Sequence, residues 1–358
     1  MSAWPSQPPA RDYGGGTAAP PTPARGPLSG GFRGGFRPRR RHRWLKIIGL
    51  LVVVVLILVV AGYFYLDSQL HRQNVLVDYS QRPAAGAGSN WLITGSDSRQ
   101  GLSRWQENHY STGHDVSGRR SDTVMVLHMP SNGEPPVLVS IPRDSYVPIP
   151  GNGWNKINAA YSFGGPKLLA ETVQSATGLR IDHYMSIGFG GLVRVVNAVG
   201  GVRMCFKTAI QDSYSGLHLK PGCHTLSGGQ ALSFVRDRHS FGTSDLQRVQ
   251  DQRVFMSALL HKLTSPGTML NPFSSIPAAF GAAGVLTVDR GTHLYQLMQV
   301  AFALRHPKTT TVPISGSVFT PAAGDALQWD HAQASQLFND LNHDRHVPKS
   351  LLTGSKVG

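Results

Sequence analysis

The chain has 358 residues, of which 41% are hydrophobic and 15% charged, with two cysteines and a formal net charge of +14. That length and apolar content permit a sizeable core, exclude a disulfide-stapled miniprotein and allow one to three domains. The charge would suit nucleic acid, but residues 1–46 hold nine Arg/Lys residues against a single acid, Asp12, and so supply +8 of the +14.

The first 36 residues include seven prolines and eight glycines, too few spaced apolar residues for a core. Residues 1–46 are therefore expected to be a disordered, basic, Pro/Gly-rich tail. The block "RPRRRHRWLK" then leads into "IIGLLVVVVLILVVAGYFYL", residues 47–66, which carries no formal charge. Twenty residues at about 1.5 Å each cover about 30 Å of hydrocarbon, which predicts a transmembrane helix. The run is long and late for a cleaved signal peptide, and it ends in Tyr63, Phe64 and Tyr65 rather than in small residues. Because the basic flank precedes the helix, a single-pass protein in the cell membrane is expected, with a cytoplasmic N-terminus and an extracytoplasmic C-terminal domain. That topology argues against a nucleic-acid partner.

Residues 67–86 read as an extracytoplasmic stalk, residues 87–341 as one domain and residues 342–358 as a polar tail. In the domain, "NWLITGSDSR" is an apolar strand running into a polar turn. "SDTVMVLHM" and "PPVLVSIPRD" are two further strands, adjacent and joined by the turn-prone "PSNGE". A helix is predicted from Pro166, a favoured first position, to the stop at Gly178. "IDHYMSIGF", "GGLVRVVNAVGG" and "VRMCF" follow as strand, helix and strand, and this alternation predicts an α/β domain with a central mixed sheet flanked by helices. Ser244 and Gln247 form a capping box for a helix through "LQRVQDQRVFMSALLHKL". "TTVPIS" and "DHAQASQLFNDLNHD" read as a late strand and helix. In an exported domain Cys205 and Cys223 are expected to pair, closing about nineteen residues for about 3 kcal/mol, with two free buried thiols as the alternative.

Charged residues gather where elements end. Asp97 and Arg99 follow the first strand, Arg119, Arg120 and Asp122 precede the second, and Arg143 and Asp144 follow the third. Arg236 and Arg238, two apart, share a face if they lie on a strand; Arg248 and Gln252, four apart, share a face of the capped helix. Planar guanidinium forks hold phosphate oxygens bidentately, and carboxylates among them make sense around a divalent cation, so pyrophosphate or a phosphodiester is the indicated ligand. Singly, each residue also has a plainer role: Asp97 and Asp122 as turn or capping residues, Arg119 and Arg120 as solvated charge, and the 236–239 run as a surface ion-pair network. The chain has no GxxxxGK[ST] loop, GxSxG elbow or HExxH pair.

With "GSDSR", "RRSDTVMVLHM", "VLVSIPRDSYVPIPG", "NKINAAYSFGG", "IDHYMSIGFGGLVRVVNAVGGV", "LSGGQALSFVRDRHS" and "DLQRVQDQ" in this order, the chain resembles the LytR-CpsA-Psr family of bacterial cell-wall enzymes in its actinobacterial form. The resemblance covers roughly residues 87–341 and implies an α-β-α catalytic domain behind one transmembrane helix. It implies a phosphotransferase that moves a glycopolymer from a polyprenyl-pyrophosphate carrier to a peptidoglycan sugar hydroxyl, forming a phosphodiester bond. Pyrophosphate-contacting residues then fall on Arg120, Arg143, Arg236, Arg238, Arg248 and Gln252, with Arg99 a weaker candidate. Carboxylates associated with Mg²⁺, or Mn²⁺, fall on Asp97 and Asp122, either of which can serve as base. The family's prenyl pocket would be lined from "KINAAYSF" and the helices at 189–198 and 246–263, residues that ordinary core packing explains equally well. Hydrolysis of the same lipid-linked substrate, or polyprenyl-phosphate binding without turnover, stays open. So do the polymer, the acceptor position and the oligomeric state.

Overall fold

The computed structural model describes residues 39–96, 121–212, 217–236, 254–259, 261–263, 265–269, 281 and 283–352. Helix α1 (Arg39–Ser68) contains the predicted span. Its portion Arg43–Ser68 has a mean hydropathy of 3.1, and Leu50, Leu58 and Val59 are each more than 60% exposed. Apolar side chains all round a helix of this length, unburied by protein, need hydrocarbon around them. The protein is a single-pass membrane protein.

The domain is built on a seven-stranded sheet in the order β1-β12-β7-β2-β3-β4-β13. Its strands are β1 (His71–Gln73), β2 (Ser89–Ser96), β3 (Ser121–Met129), β4 (Val137–Ile141), β7 (His183–Ile187), β12 (Leu286–Asp289) and β13 (Lys308–Thr311). Pairs β1/β12, β2/β7 and β4/β13 are parallel, and β12/β7, β2/β3 and β3/β4 antiparallel, so the sheet is mixed as expected. Four smaller strand pairs lie outside it: β5 (Tyr146–Ile149) with β6 (Gly153–Lys156), β8 (Val202–Phe206) with β11 (Gly222–Leu226), β9 (Ile210–Asp212) with β10 (Leu217–Leu219), and β14 (Ile314–Thr320) with β15 (Gly324–Trp329).

Strand alternation sorts the apolar residues into two layers. Leu92, Val124, Val126 and Val139 meet Leu169 and Val173 of α2 (Ile157–Thr177) and Leu337 and Phe338 of α6 (His331–Asn342). On the other face Trp91, Ile93, Met125 and Leu127 meet Val300 of α5 (Leu294–Ala303) and Leu304. Each fully buried aliphatic side chain here stabilises by about 2 kcal/mol. A separate apolar cluster joins α3 (Phe189–Ala198), α4 (Gly228–Arg236), the β8/β11 ribbon, Phe255 and Leu259.

Helix α2 kinks at Gly164 and Gly165, and Pro166 opens its second half as predicted. Gly178 ends it at φ 71°, a left-handed cap whose N–H reaches the Gln174 carbonyl. The first half, residues 157–163, was not anticipated. The late strand divides at Pro313, which has no N–H to continue a ladder: β13 belongs to the main sheet and β14 to a hairpin. Cys205 and Cys223 form the disulfide, directly opposite one another across β8 and β11 with Cα atoms 3.9 Å apart.

Two boundaries are corrected. Residues 67–86 are not a stalk, because β1 adds an edge to the sheet, Val75 is core and Arg82 donates to the Ile181 carbonyl at 2.9 Å. Isolated apolar residues among polar ones gave no periodic signal there. At the other end the segment after Asn342 is folded at least to Leu352: Val347 and Leu351 are buried in the core, and Thr310 donates to the Leu351 carbonyl.

Candidate active site

The sheet brings several predicted positions to one end. Ser96, the last residue of β2, is opposite Ser121, the first of β3. Asp122 is the second residue of β3. Ile141, the last residue of β4, pairs with Val124, and Arg143 follows two residues later. Ile187 closes β7 beside Gly95 at the same end, where α3 begins.

Arg143 sits in a turn fixed from three sides. The Ser145 N–H donates to the Pro142 carbonyl at 3.0 Å and closes the turn. The carbonyls of Ser145 and Arg143 accept from Ile157 and Asn158, satisfying the first orphan N–H groups of α2. The Asp144 carbonyl accepts from Leu327 of β15 at 2.8 Å. The guanidinium Nε lies 3.3 Å from Asp144 Oδ2, and Lys156 Nζ lies 3.2 Å from Oδ1 of the same carboxylate. Arg143 and Lys156 are about a quarter exposed, so two cations share one carboxylate at the mouth of the sheet. Lys156, in "NKINAAYSFGG", is not among the positions expected from the sequence.

Below this end is a neutral polar pair. Thr94 Oγ1 and the Tyr184 hydroxyl are 2.9 Å apart and buried. Burial, foremost, drives the Tyr184 hydroxyl well above its ordinary range, so it stays protonated and adds no negative charge beneath an anion site.

Arg236 corrects the strand premise used for it. It is the last residue of helix α4, so an i, i+2 spacing with Arg238 does not put the two on one face of a strand. The helix is started by a capping box, with the Ser227 N–H donating to Gln230 Oε1 at 3.0 Å and the Gln230 N–H approaching Ser227 Oγ at 3.4 Å. Gly228 packs so closely on α3 that an added Cβ would lie 2.4 Å from the Val193 carbonyl oxygen, and its N–H donates to Asn197 Oδ1. Helix α4 therefore starts against the end of α3 and carries Arg236 at its far end. Asp97, Arg99, Arg119, Arg120, Arg238, Arg248, Gln252 and the Ser244–Gln247 box lie outside the described residues, as do the side chains of Asp122 and Arg236. Of the residues suggested for a prenyl pocket, Ile157 and Ala160 belong to the core and Phe163 is 54% exposed.

Residues 66–342 match the LytR_cpsA_psr family. The chain belongs to that family. It is 46% identical over 307 residues to the probable cell wall biosynthesis protein LcpB of Corynebacterium glutamicum, covering 86% of this chain and 72% of the relative. It is 30% identical over 306 residues to the polyisoprenyl-teichoic acid–peptidoglycan teichoic acid transferase TagU of Oceanobacillus iheyensis, covering 78% and 87%. Among solved structures, TagT bound to LI-WTA shares the fold with a TM-score of 0.53 and 23% identity, over 76% of this chain and 94% of that one. Membership in the LytR_cpsA_psr family accounts for the order of the seven motifs along one fold and for the helix that precedes them.

Among the described residues no group of three His, Cys, Asp or Glu side chains is arranged to hold a metal ion. The donor set expected for one fits by its chemistry. Asp97 and Asp122 are carboxylates, hard oxygen ligands suited to Mg²⁺; position 122 is the second residue of β3, and Asp97 lies outside the described residues.

Proposed function

We propose that the domain is an extracytoplasmic phosphotransferase that links a lipid-borne glycopolymer to peptidoglycan. The observation that carries this reading is the match of residues 66–342 to the LytR_cpsA_psr family, on a sheet where position 122 of β3 and Arg143 after β4 lie at the same end. The names of its relatives, a cell wall biosynthesis protein and a teichoic acid transferase, support the substrate class. The donor would be a polyprenyl-pyrophosphate-linked polymer, the acceptor a sugar hydroxyl of peptidoglycan. The basic block 37–46 before the apolar run of α1 supports a cytoplasmic N-terminus, which would put the domain on the side where peptidoglycan lies.

In this mechanism the acceptor oxygen attacks the phosphorus that bears the polymer. A new P–O bond forms to the acceptor, the P–O bond to the polyprenyl phosphate breaks, and that phosphate leaves with the electron pair. The hydroxyl proton passes to Asp97 or Asp122. Arg143, with Arg120, Arg236, Arg238 and Arg248, binds the diphosphate and offsets charge on the leaving group, and Gln252 and Arg99 complete the polar surround. Lys156 orients Asp144, which in turn holds the Arg143 fork at Nε. Asp97 and Asp122 would hold Mg²⁺ or Mn²⁺, which when bound polarises phosphate oxygens.

The test is transfer of a labelled polymer from a purified lipid-linked donor to peptidoglycan by the full chain in detergent or nanodiscs. Covalent attachment that falls sharply in a folded Asp122→Ala variant is expected. Polymer released without attachment would instead establish hydrolysis, and binding without any product would overturn catalysis.

A further inference from the structure

Helix α5 presents a face that none of the described residues covers. Its sequence, LYQLMQVAFA, contains no charged residue. Leu297 and Val300 turn inward onto the sheet. Tyr295, Met298 and Phe302, at i, i+3 and i+7, form an outward stripe, and they are 50%, 50% and 47% exposed. Three large apolar side chains in one row on an uncharged helix are costly to leave in water.

The position of that helix says what covers it. The carboxylate of Asp67, in the last turn of α1, accepts from the Leu294 N–H at 2.8 Å, and Asp67 Oδ2 pairs with Arg72 at 2.6 Å and approaches His293 Nδ1 at 3.3 Å. The first residue of α5 is thus hydrogen-bonded to the end of the membrane-spanning helix. Leu66 and Leu297 both pack against the cluster of Leu70, Ala283 and Val288. Phe64 and Tyr65, just before Asp67, are 65% and 55% exposed, the aromatic residues that mark the lipid–water boundary of a spanning helix. A ten-residue helix is about 15 Å long, so its outward stripe begins at that boundary and no part of it lies more than about 15 Å away. The flanking cations have the distribution of an interfacial helix. Arg290 is exposed just before α5, and the Arg305 guanidinium sits 5.8 Å from the centre of the Phe302 ring just after it.

We infer that the Tyr295, Met298 and Phe302 face of α5 lies in the headgroup region of the outer leaflet and docks the domain on the lipid surface. The occupant is the bilayer that α1 crosses, because that interface is continuous with the end of α1 through Asp67. This inference rests on the placement of α5 and is independent of the transfer reaction.

Both native cysteines are in the disulfide, so an introduced cysteine is the sole free thiol. The full chain carrying Met298→Cys, labelled with an environment-sensitive fluorophore, is reconstituted in vesicles of phosphatidylcholine and phosphatidylglycerol with and without headgroup-proximal doxyl lipid. Ser335→Cys is the control, because it is exposed on α6 and α6 packs on the opposite face of the sheet. Position 298 is expected to lose most of its emission to the doxyl lipid while position 335 keeps its own; Tyr295→Cys gives an independent second probe. Equal quenching at 298 and 335, or none at 298, overturns the proposal. Protection of position 298 from a water-soluble quencher that vanishes on dilution of protein into excess lipid would assign the face to a second copy of the chain, and would overturn it as well.

Discussion

Asp344 Oδ1 lies 2.9 Å from His128 Nε2, a contact across 216 residues that fastens the C-terminal segment to strand β3. His128 Nδ1 is 2.9 Å from Asn90 Oδ1, and Asp344 Oδ2 accepts from both the N–H and the hydroxyl of Ser131. Both the imidazole and the carboxylate are buried, and burial holds the His128 pKa below its ordinary value, so removing Asp344 leaves a buried ring nitrogen without its partner. Asp344→Ala is expected to cost about 2 kcal/mol of stability, read by denaturant unfolding of the full chain.

The same carboxylate gives a pH prediction. Burial pushes Asp344 up, but donation from the Ser131 hydroxyl and N–H and the proximity of His128 outweigh it, and the net shift is below the ordinary 3.8. With its folded pKa depressed, the unfolded chain takes up the proton first as pH falls. The contribution to stability is therefore complete above about pH 4 and lost as pH drops through the folded value. Asp344→Asn should flatten the fall in thermal midpoint below pH 4; an unchanged acid limb would refute the assignment.

Arg143 is predicted to need its fork. In Arg143→Lys the charge stays, but the planar Nε contact to Asp144 and bidentate phosphate binding are lost. Transfer kcat/KM should fall by about 100-fold with the melting temperature within a few degrees of the parent. Lys156→Met tests the positioning role, and restoration of most activity by Lys156→Arg would distinguish positioning charge from packing.

Gly228→Ala should impair both fold and activity. The added methyl meets the backbone of Val193 at 2.4 Å, which no rotamer change relieves, so α4 must move off α3. Overpacking of this kind costs about 2 kcal/mol. Because α4 ends in Arg236, transfer should drop by more than the loss of folded protein explains.

Chelation should separate the metal from the scaffold. Transfer is expected to disappear in EDTA and return with Mg²⁺, while the disulfide-bonded ribbon keeps its protection from hydrogen exchange. Cys205→Ser with Cys223→Ser is the complementary change, expected to destabilise by about 3 kcal/mol while leaving the cation dependence intact.

The central strands were legible because "NWLIT", "TVMVL" and "VLVSI" are short apolar runs whose residues feed two cores, which only a sheet covered on both faces accommodates. Helix α6 was legible from its period, and Gly178 from its stop signal. Helix α4, which ends at Arg236, is signalled by the Ser227-to-Gln230 capping box upstream, the same S-x-x-Q pattern as at Ser244, whereas the i, i+2 spacing of the "RDR" arginines carries no helix signal of its own. Strand β1 has three residues and pairs with a strand more than 200 positions later, a long-range contact with no local trace. Of the predicted site positions, Asp122 and Arg143 fall at one end of the sheet, as the sequence placed them at element ends; that Lys156 joins Arg143 on Asp144 depends on the meeting of a β-ribbon with a helix start, which spacing alone does not encode.

The hydrogen bonds of Asp67 to Arg72 and Leu294 and the pairing of β1 with β12 make residues 67–73 part of the folded domain. A protease acting on the native protein should therefore find no easy cut there.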